Sequence, residues 1–191
     1  LMTRFYEVDS GHIQIDGTDL RKIDLKDLRR LYAVVLQDVF LFSGSIADNI
    51  RVSCPGMSDE HVWKILREVN AADFVASLRG GLQARVSERG DTFSTGQKQL
   101  LAFARALAAD PQVLILDEAT ANIDTETEKL VQDATHRLLK DRTALVIAHR
   151  LSTIQRADKI LVMHHGHIHE SGTHKELLRR NGIYQGLHTM Q

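Results

Sequence analysis

The sequence predicts an α/β fold built on a mostly parallel sheet, and three observations carry that expectation. Val113 to Leu116 and Ala144 to Ala148 are apolar almost throughout, as strands covered on both faces are. A helical stretch from about Thr125 to Lys140 lies between them, long enough to cross over between parallel neighbours. A further apolar strand, Lys159 to Met163, follows, so strand and helix alternate through the second half of the chain.

Ile13-Gln14-Ile15 alternates and meets Asp16-Gly17, a strand ending in a turn. Leu25, Leu28 and Leu31 space a short helix, and Tyr32 to Gln37 reads as a more continuous strand. Ser58 N-caps a helix whose Val62, Ile65, Leu66 and Val69 recur at i, i+3, i+4 and i+7. Asn70 with Asp73 is expected to start another helix at Ala71. Ser94-x-x-Gln97 forms a capping box before a helix from about Thr95, with Leu100, Phe103, Ala104, Leu107 and Ala108 on one face and Pro111 past its end. His164 to Glu170 is expected to turn through Gly166 as a hairpin, and Thr173-x-x-Glu176 caps a terminal helix interrupted at Asn181-Gly182. No internal repeat, low-complexity stretch or linker is visible.

The 191 residues, 43% of them hydrophobic, suit one domain with a sizeable core. Lys plus Arg (24) nearly balance Asp plus Glu (25), which argues against broad electrostatic binding to nucleic acid. The single Cys54 excludes an intrachain disulfide and reads as an inert, half-buried thiol fitting a reducing compartment. The longest apolar runs fall far short of the ~20 residues of a membrane span, and no signal peptide is visible, so the chain itself is expected to be soluble.

Val113-Leu114-Ile115-Leu116-Asp117-Glu118 places two carboxylates where a strand ends, and ligands of open α/β sheets gather at the carboxyl ends of strands. Asp117 suits Mg²⁺, a hard cation that wants oxygen ligands and keeps several waters. Glu118 suits a general base for an attacking water, a role contributing roughly 10²- to 10⁴-fold in rate. The alternative is a helix start with acidic residues placed for its dipole. Phe93-Ser94-Thr95-Gly96-Gln97 opens a capped helix whose N–H groups, Ser94 hydroxyl and positive dipole end make an anion site, although a good N-cap alone reads the same way. His149 ends a strand and is expected at the same sheet edge, able to donate to a phosphate oxygen or to serve a structural role. Gln37 likewise ends a strand and is read either as a ligand of the metal or its water, or as structural.

In order and spacing, Gln37, Phe93 to Gln97, Val113 to Glu118, Ala121 to Asp124 and Ala148-His149-Arg150 resemble the Q-loop, signature motif, Walker B strand, D-loop and H-loop of an ABC transporter nucleotide-binding domain. Val86-Ser87-Glu88-Arg89-Gly90 resembles the X-loop of the exporter branch, and Arg4 to Gly11 matches that branch too. The resemblance covers essentially the whole chain. It implies a P-loop NTPase-like (RecA-like) core over residues 1–51 and 110–191, with an inserted helical subdomain over 52–109. It also implies ATP and Mg²⁺ as cofactors and a head-to-tail dimer of such domains. In that dimer Asp117 and Glu118 of one domain face a γ-phosphate that also meets Ser94, Thr95, Gly96 and Gln97 of the other, with Asp124 communicating across. The segments Gln37 to Asn49 and Val86 to Gly90 are implied to contact a transmembrane domain, at the cytoplasmic face of a membrane.

Three departures from the family qualify this. No stretch reads G-x-x-x-x-G-K-[ST], and the chain opens at Leu1 without Met, so it is read as a fragment lacking the first strand and phosphate loop. Such a chain is expected to hydrolyse no ATP alone and to be prone to aggregation through unpaired strand edges. The signature reads Phe-Ser-Thr-Gly-Gln where the family usually has Leu-Ser-Gly-Gly-Gln, so Thr95 suggests one weakened site in a heterodimer, with a tolerant homodimer as the alternative. Third, His164, His165, His167, His169 and His174 cluster at the hairpin, read as solvated turn residues rather than a metal site. Two competing functions stay open: a soluble ABC ATPase acting on DNA or ribosomes, and a non-catalytic module offering its signature surface in trans.

Overall fold

The computed structural model describes residues 1–87, 90–117, 125–148 and 151–190. They form two compact units, one running to residue 146 and the other from 147 onward.

In the first unit, arginines tie the opening segment down. Arg4 donates to the Leu20 and Ile23 carbonyls, and Arg29 reaches back to the carbonyls of Thr3 and Arg4 while its guanidinium stacks over the Phe5 ring. Strands β1 (Gln14–Ile15) and β2 (Thr18–Asp19) form a hairpin. Its loop residues Asp16 and Gly17 both take positive φ, as a two-residue turn matched to strand twist requires. Helix α1 (Leu25–Arg30) starts at Asp24, whose carboxylate accepts from the Lys26 and Asp27 amides, and leads into β3 (Tyr32–Val35). The strand stops short of Gln37 because its ladder closes at Val35, so the expected run from Tyr32 to Gln37 is too long.

Next come β4 (Gly44–Ser45), α2 (Ile46–Ile50), α3 (Asp59–Glu68) and α4 (Ala72–Ser77). Ser58 caps α3 by accepting from the His61 amide, and Val62, Ile65, Leu66 and Val69 are buried. The expected cap of α4 is corrected. Ala71 holds the N-cap position without a side-chain bond, whereas Asn70 takes a left-handed φ of 58° just past α3 and donates to the Leu130 carbonyl. A short polar side chain that tolerates that conformation serves the end of one helix as readily as the start of the next. Cys54 is exposed, not half-buried, at the end of a 3-10 turn.

Then follow β5 (Arg85–Val86), α5 (Thr95–Ala108), β6 (Val113–Asp117), α6 (Thr125–Leu139) and β7 (Thr143–Ile147). The sheet order is β3-β6-β7, and β3 and β6 are parallel with Tyr32 opposite Val113. Helix α5 packs against α2, α3, α6 and β3. Its Leu100, Leu101, Phe103 and Ala104 sit in a core that also holds Leu114, Leu116, Val131 and Leu138. Strand β7 is apolar, yet Thr143, Ala144, Leu145 and Ile147 are exposed.

In the second unit, α7 (Leu151–Ile154) precedes β8 (Ile160–His164) and β9 (His167–Gly172), followed by α8 (His174–Arg179) and α9 (Ile183–Thr189). β8 pairs antiparallel with β9 through the turn His165-Gly166, both at positive φ. Among the described residues β8 and β9 form a two-stranded sheet. The Thr173/Glu176 capping box opens α8. Asn181, at φ 52°, separates it from α9, and the Glu170 carboxylate on β9 accepts from the Ile183 and Tyr184 amides that start α9. Val162, Leu177 and Tyr184 form the core of this unit. No described helix is long and apolar enough to cross a membrane.

Gly90 has a φ of 62°, and a Cβ there would lie 2.7 Å from Leu41 Cδ1. Gly11 has a φ of 76° with nothing within 4 Å. Both Gly→Ala changes strain the backbone, but Gly90→Ala must also displace a buried leucine, so it is expected to destabilise by about 1 to 3 kcal/mol more than Gly11→Ala. Urea unfolding of the two variants checks the difference.

Candidate functional site

The first part of the site is a sheet edge. Because β3 and β6 run parallel with Val35 opposite Leu116, Gln37 and Asp117 leave the sheet at the same carboxyl-terminal edge. Asp117 is half-buried at the end of β6, and Gln37 is exposed two residues beyond β3. Their carboxylate and amide oxygens fit Mg²⁺, which binds through few protein oxygens and completes its shell with water and phosphate. Among the described residues no three His, Cys, Asp or Glu side chains gather as an all-protein cage for a metal. Glu118, Asp124 and His149, together with Glu88 and Arg89, lie outside the described residues.

The second part is the start of α5. Ser94 Oγ accepts from the Gln97 amide at 3.2 Å, and Gln97 Oε1 accepts from the Ser94 amide at 3.0 Å. This reciprocal box turns the Gln97 side chain back onto its own helix. The Thr95 and Gly96 amides, first in the helix, have no intrahelical acceptor. Ser94 and Thr95 are exposed and Gly96 is buried, while Phe93 is held in the core edge-on to Phe74 at 6.4 Å between centroids. The helix therefore presents the exposed Ser94 hydroxyl at its positive end, where negative charge is favoured.

The third part joins the two segments that the family resemblance implies to face a transmembrane domain. β4 pairs antiparallel with β5, and Leu41, fully buried, packs over Gly90. This brings segment 37–49 together with Val86 and Gly90. Ser45 and Asp48 form a capping box for α2, with the Asp48 carboxylate accepting from the Ser45 amide at 2.8 Å. Asn49 is 1% exposed and uses all four of its hydrogen-bonding capacities. Its Oδ1 accepts from the Phe42 amide and from Arg105 Nη2, and its Nδ2 donates to the Phe42 and Ser45 carbonyls. Arg105 on α5 also donates to the carbonyls of Asn49 and Phe40, and its guanidinium lies 5.1 Å from the Phe42 ring centroid. Sequence reading passed over Asn49 and Arg105. The available signal was a lone cation inside the apolar run from Leu100 to Leu107.

A groove of about 260 Å³ runs beside this third part, lined by Val34, Leu36, Phe40, Ala102, Arg105 and neighbouring residues. In the second unit His164, His165, His167 and His169 are exposed, with the His164 ring edge-on to His165 and His169. His174 is half-buried and hydrogen-bonds the Tyr184 hydroxyl at 2.7 Å.

Residues 1–121 match the ABC transporter family. The chain is 52% identical over 187 residues to YknV, an ABC transporter ATP-binding protein of Bacillus subtilis, covering 98% of this chain and 31% of that protein. It is 53% identical over 192 residues to the ATP-dependent lipid A-core flippase of Xylella fastidiosa, covering 100% of this chain and 33% of the flippase. The solved structure of a bacterial Atm1-family ABC exporter with ATP bound superposes with a TM-score of 0.91 at 39% identity, again over 100% of this chain and 33% of that one. The chain thus spans about a third of the length of the curated relatives it matches.

Hydrogen bonds from the Ser45 hydroxyl and then its amide hold the Asp48 carboxyl below the usual carboxylate range. A lowered folded-state value stabilises the native state above the ordinary aspartate value of about 4 and loses that contribution as pH falls through the lowered value. Asp48→Asn is therefore expected to flatten the acid limb of the stability curve. Denaturation midpoints taken from about pH 7 down to about pH 2, spanning the ordinary carboxylate range, check this.

Proposed function

We propose, on the premise that this chain belongs to the ABC transporter family, that it is the ATP-binding and ATP-hydrolysing domain that couples nucleotide turnover to export across a membrane. The observation that carries the reading is the pairing of two surfaces in one unit. Gln37 and Asp117 share one sheet edge, and a capped helix start exposes Ser94 and Thr95. Such a helix start suits the nucleotide of a second domain in a head-to-tail dimer, because its donors are made for an anion.

When bound, Mg²⁺ supplies charge neutralisation at the phosphates of ATP. Asp117 and Gln37 hold that cation through oxygen. Glu118 accepts the proton of the attacking water, and His149 donates to a γ-phosphate oxygen. Ser94 Oγ and the Thr95 and Gly96 amides bind the phosphate from the opposite domain, with Gln97 positioning that turn through its bond to the Ser94 amide. Asp124 links the two composite sites. Residues 52–109 act as a helical subdomain inserted in sequence between the α/β residues 1–51 and 110–191. The Gln37 to Asn49 and Val86 to Gly90 segments dock on a transmembrane domain, which places the chain at the cytoplasmic face of the membrane.

The sequence holds no G-x-x-x-x-G-K-[ST] stretch, so the 191-residue chain by itself is expected to show no ATPase activity. That same feature favours a second reading for the isolated chain, a surface that supplies Ser94 to Gln97 in trans. Thr95, standing where family members usually carry Gly, fits a weakened site within a heterodimer.

In a complete transporter that includes this chain, Glu118→Gln is expected to slow hydrolysis at its site by about 10²- to 10⁴-fold while nucleotide binding persists. Thr95→Gly is expected to raise turnover. Single-turnover ATPase assays on the reconstituted transporter check both, and undiminished hydrolysis in Glu118→Gln rejects the proposed catalytic role.

A further inference from the structure

Arg105 joins two surfaces to which the proposed function gives different tasks. It projects from α5, the helix whose first residues carry the exposed Ser94 and Thr95, and it lies eleven residues, or about 16 Å, along that helix from Ser94. Its side chain makes three hydrogen bonds to segment 40–49, which holds β4 and most of α2: Nη1 to the Phe40 carbonyl at 2.9 Å, Nε to the Asn49 carbonyl at 3.0 Å and Nη2 to Asn49 Oδ1 at 2.7 Å. The guanidinium also faces the Phe42 ring, and Phe40 and Phe42 stand edge-on with centroids 5.2 Å apart.

These acceptors lie at both ends of segment 40–49, and Asn49 closes that segment on itself by pairing with both the amide and the carbonyl of Phe42. The segment is thus closed on itself by hydrogen bonds and fastened to α5 by one guanidinium. Phe40 and Phe42 nevertheless keep 46% and 48% of their surface exposed. Two aromatic side chains are therefore presented outward on a backbone that cannot shift relative to α5 without breaking charge-assisted bonds, which are about twice as strong as neutral ones.

We propose that Arg105 is a positioning residue that locks the outward Phe40–Phe42 segment to helix α5, so that displacement of that segment is passed to the anion-binding start of the helix. The proposal rests on the exporter reading for the direction of transmission, but the lock itself is a property of this unit alone. Neither a lysine nor a glutamine can replace the guanidinium. A lysine ammonium is a point donor that does not present the planar fork spanning Phe40 O, Asn49 O and Asn49 Oδ1, and a glutamine is too short and carries no charge.

The test uses the complete transporter in lipid vesicles with Arg105→Lys and Arg105→Gln. Two quantities are read: substrate moved per ATP hydrolysed, and hydrogen exchange at the Phe42 amide, whose acceptor is Asn49 Oδ1. Both variants are expected to keep basal ATPase activity, to exchange the Phe42 amide faster, and to move about fivefold or more less substrate per ATP, the lower end of typical site-to-site coupling. Unchanged exchange at Phe42 overturns the lock. Faster exchange with unchanged coupling overturns the transmission role. A wild-type transporter without ATPase activity instead counts against the exporter reading, while the exchange measurement still decides the lock.

Discussion

The burial of helix α5 is the constraint on which the first unit depends. Leu100, Leu101, Phe103 and Ala104 are almost fully enclosed, and Ala102, Ala106 and Ala108 are buried beside them. A helix apolar around most of its circumference belongs in a core, and its alanines allow α2, α3, α6 and β3 to approach from different sides. Fully burying one leucine or phenylalanine stabilises by about 1.5 to 3 kcal/mol, against about 1 kcal/mol for a good N-cap. Packing therefore fixes where α5 lies, and the Ser94/Gln97 box fixes only where it begins. Since neighbours hold the body of the helix, Ser94 and Thr95 at its start can stay exposed.

Elements governed by local rules were legible in the sequence. The capping boxes at Ser94 and Thr173, the N-cap at Ser58, the hairpin at Gly166 and the break at Asn181 each depend on residues within a few positions of one another. Elements whose form depends on a distant partner were less legible. Tyr32 to Gln37 carries apolar residues past Val35, but a strand lasts only as long as its ladder, and that ladder closes against Leu116. Strand β7 is as apolar as β6, yet composition alone does not say what covers it, and most of its residues are exposed. Asn70 suits either end of a helix, so its left-handed backbone follows from the turn between α3 and α4 rather than from its identity.

The candidate site divides in the same way. Asp117, Gln37 and Ser94 to Gln97 were legible because each follows a strand end or opens a capped helix, features that a short window of sequence reveals. The Asn49–Arg105 network was not, since its partners lie 56 and 65 residues apart along the chain. Asn49 enters the sequence reading only as the end of a partner-facing segment, and Arg105 resembles a surface residue on an otherwise apolar helix until its acceptors are seen. The contact between Leu41 and Gly90 is hidden for the same reason, although both segments were singled out for their resemblance to partner-facing loops.

Polar groups at the two ends of α5 differ in a way that separates support from chemistry. Near its C-terminal end Asn49 has every donor and acceptor engaged, and Arg105 is half-buried with three bonds into the protein and its pKa drawn down by that burial. A satisfied buried network is rigid, and removing one member strands the others, so its value is to hold geometry. At the N-terminal end the balance is reversed. Ser94 and Gln97 satisfy each other, but the Thr95 and Gly96 amides have no acceptor within the helix, and a positive helix end favours negative charge beside it. One helix thus carries a saturated polar cluster that fastens the segment bearing Phe40 and Phe42, and a first turn whose leading amides have no acceptor within the helix. Because helical hydrogen bonds run between the two clusters, a shift at one end is borne by the whole element rather than absorbed in a flexible joint.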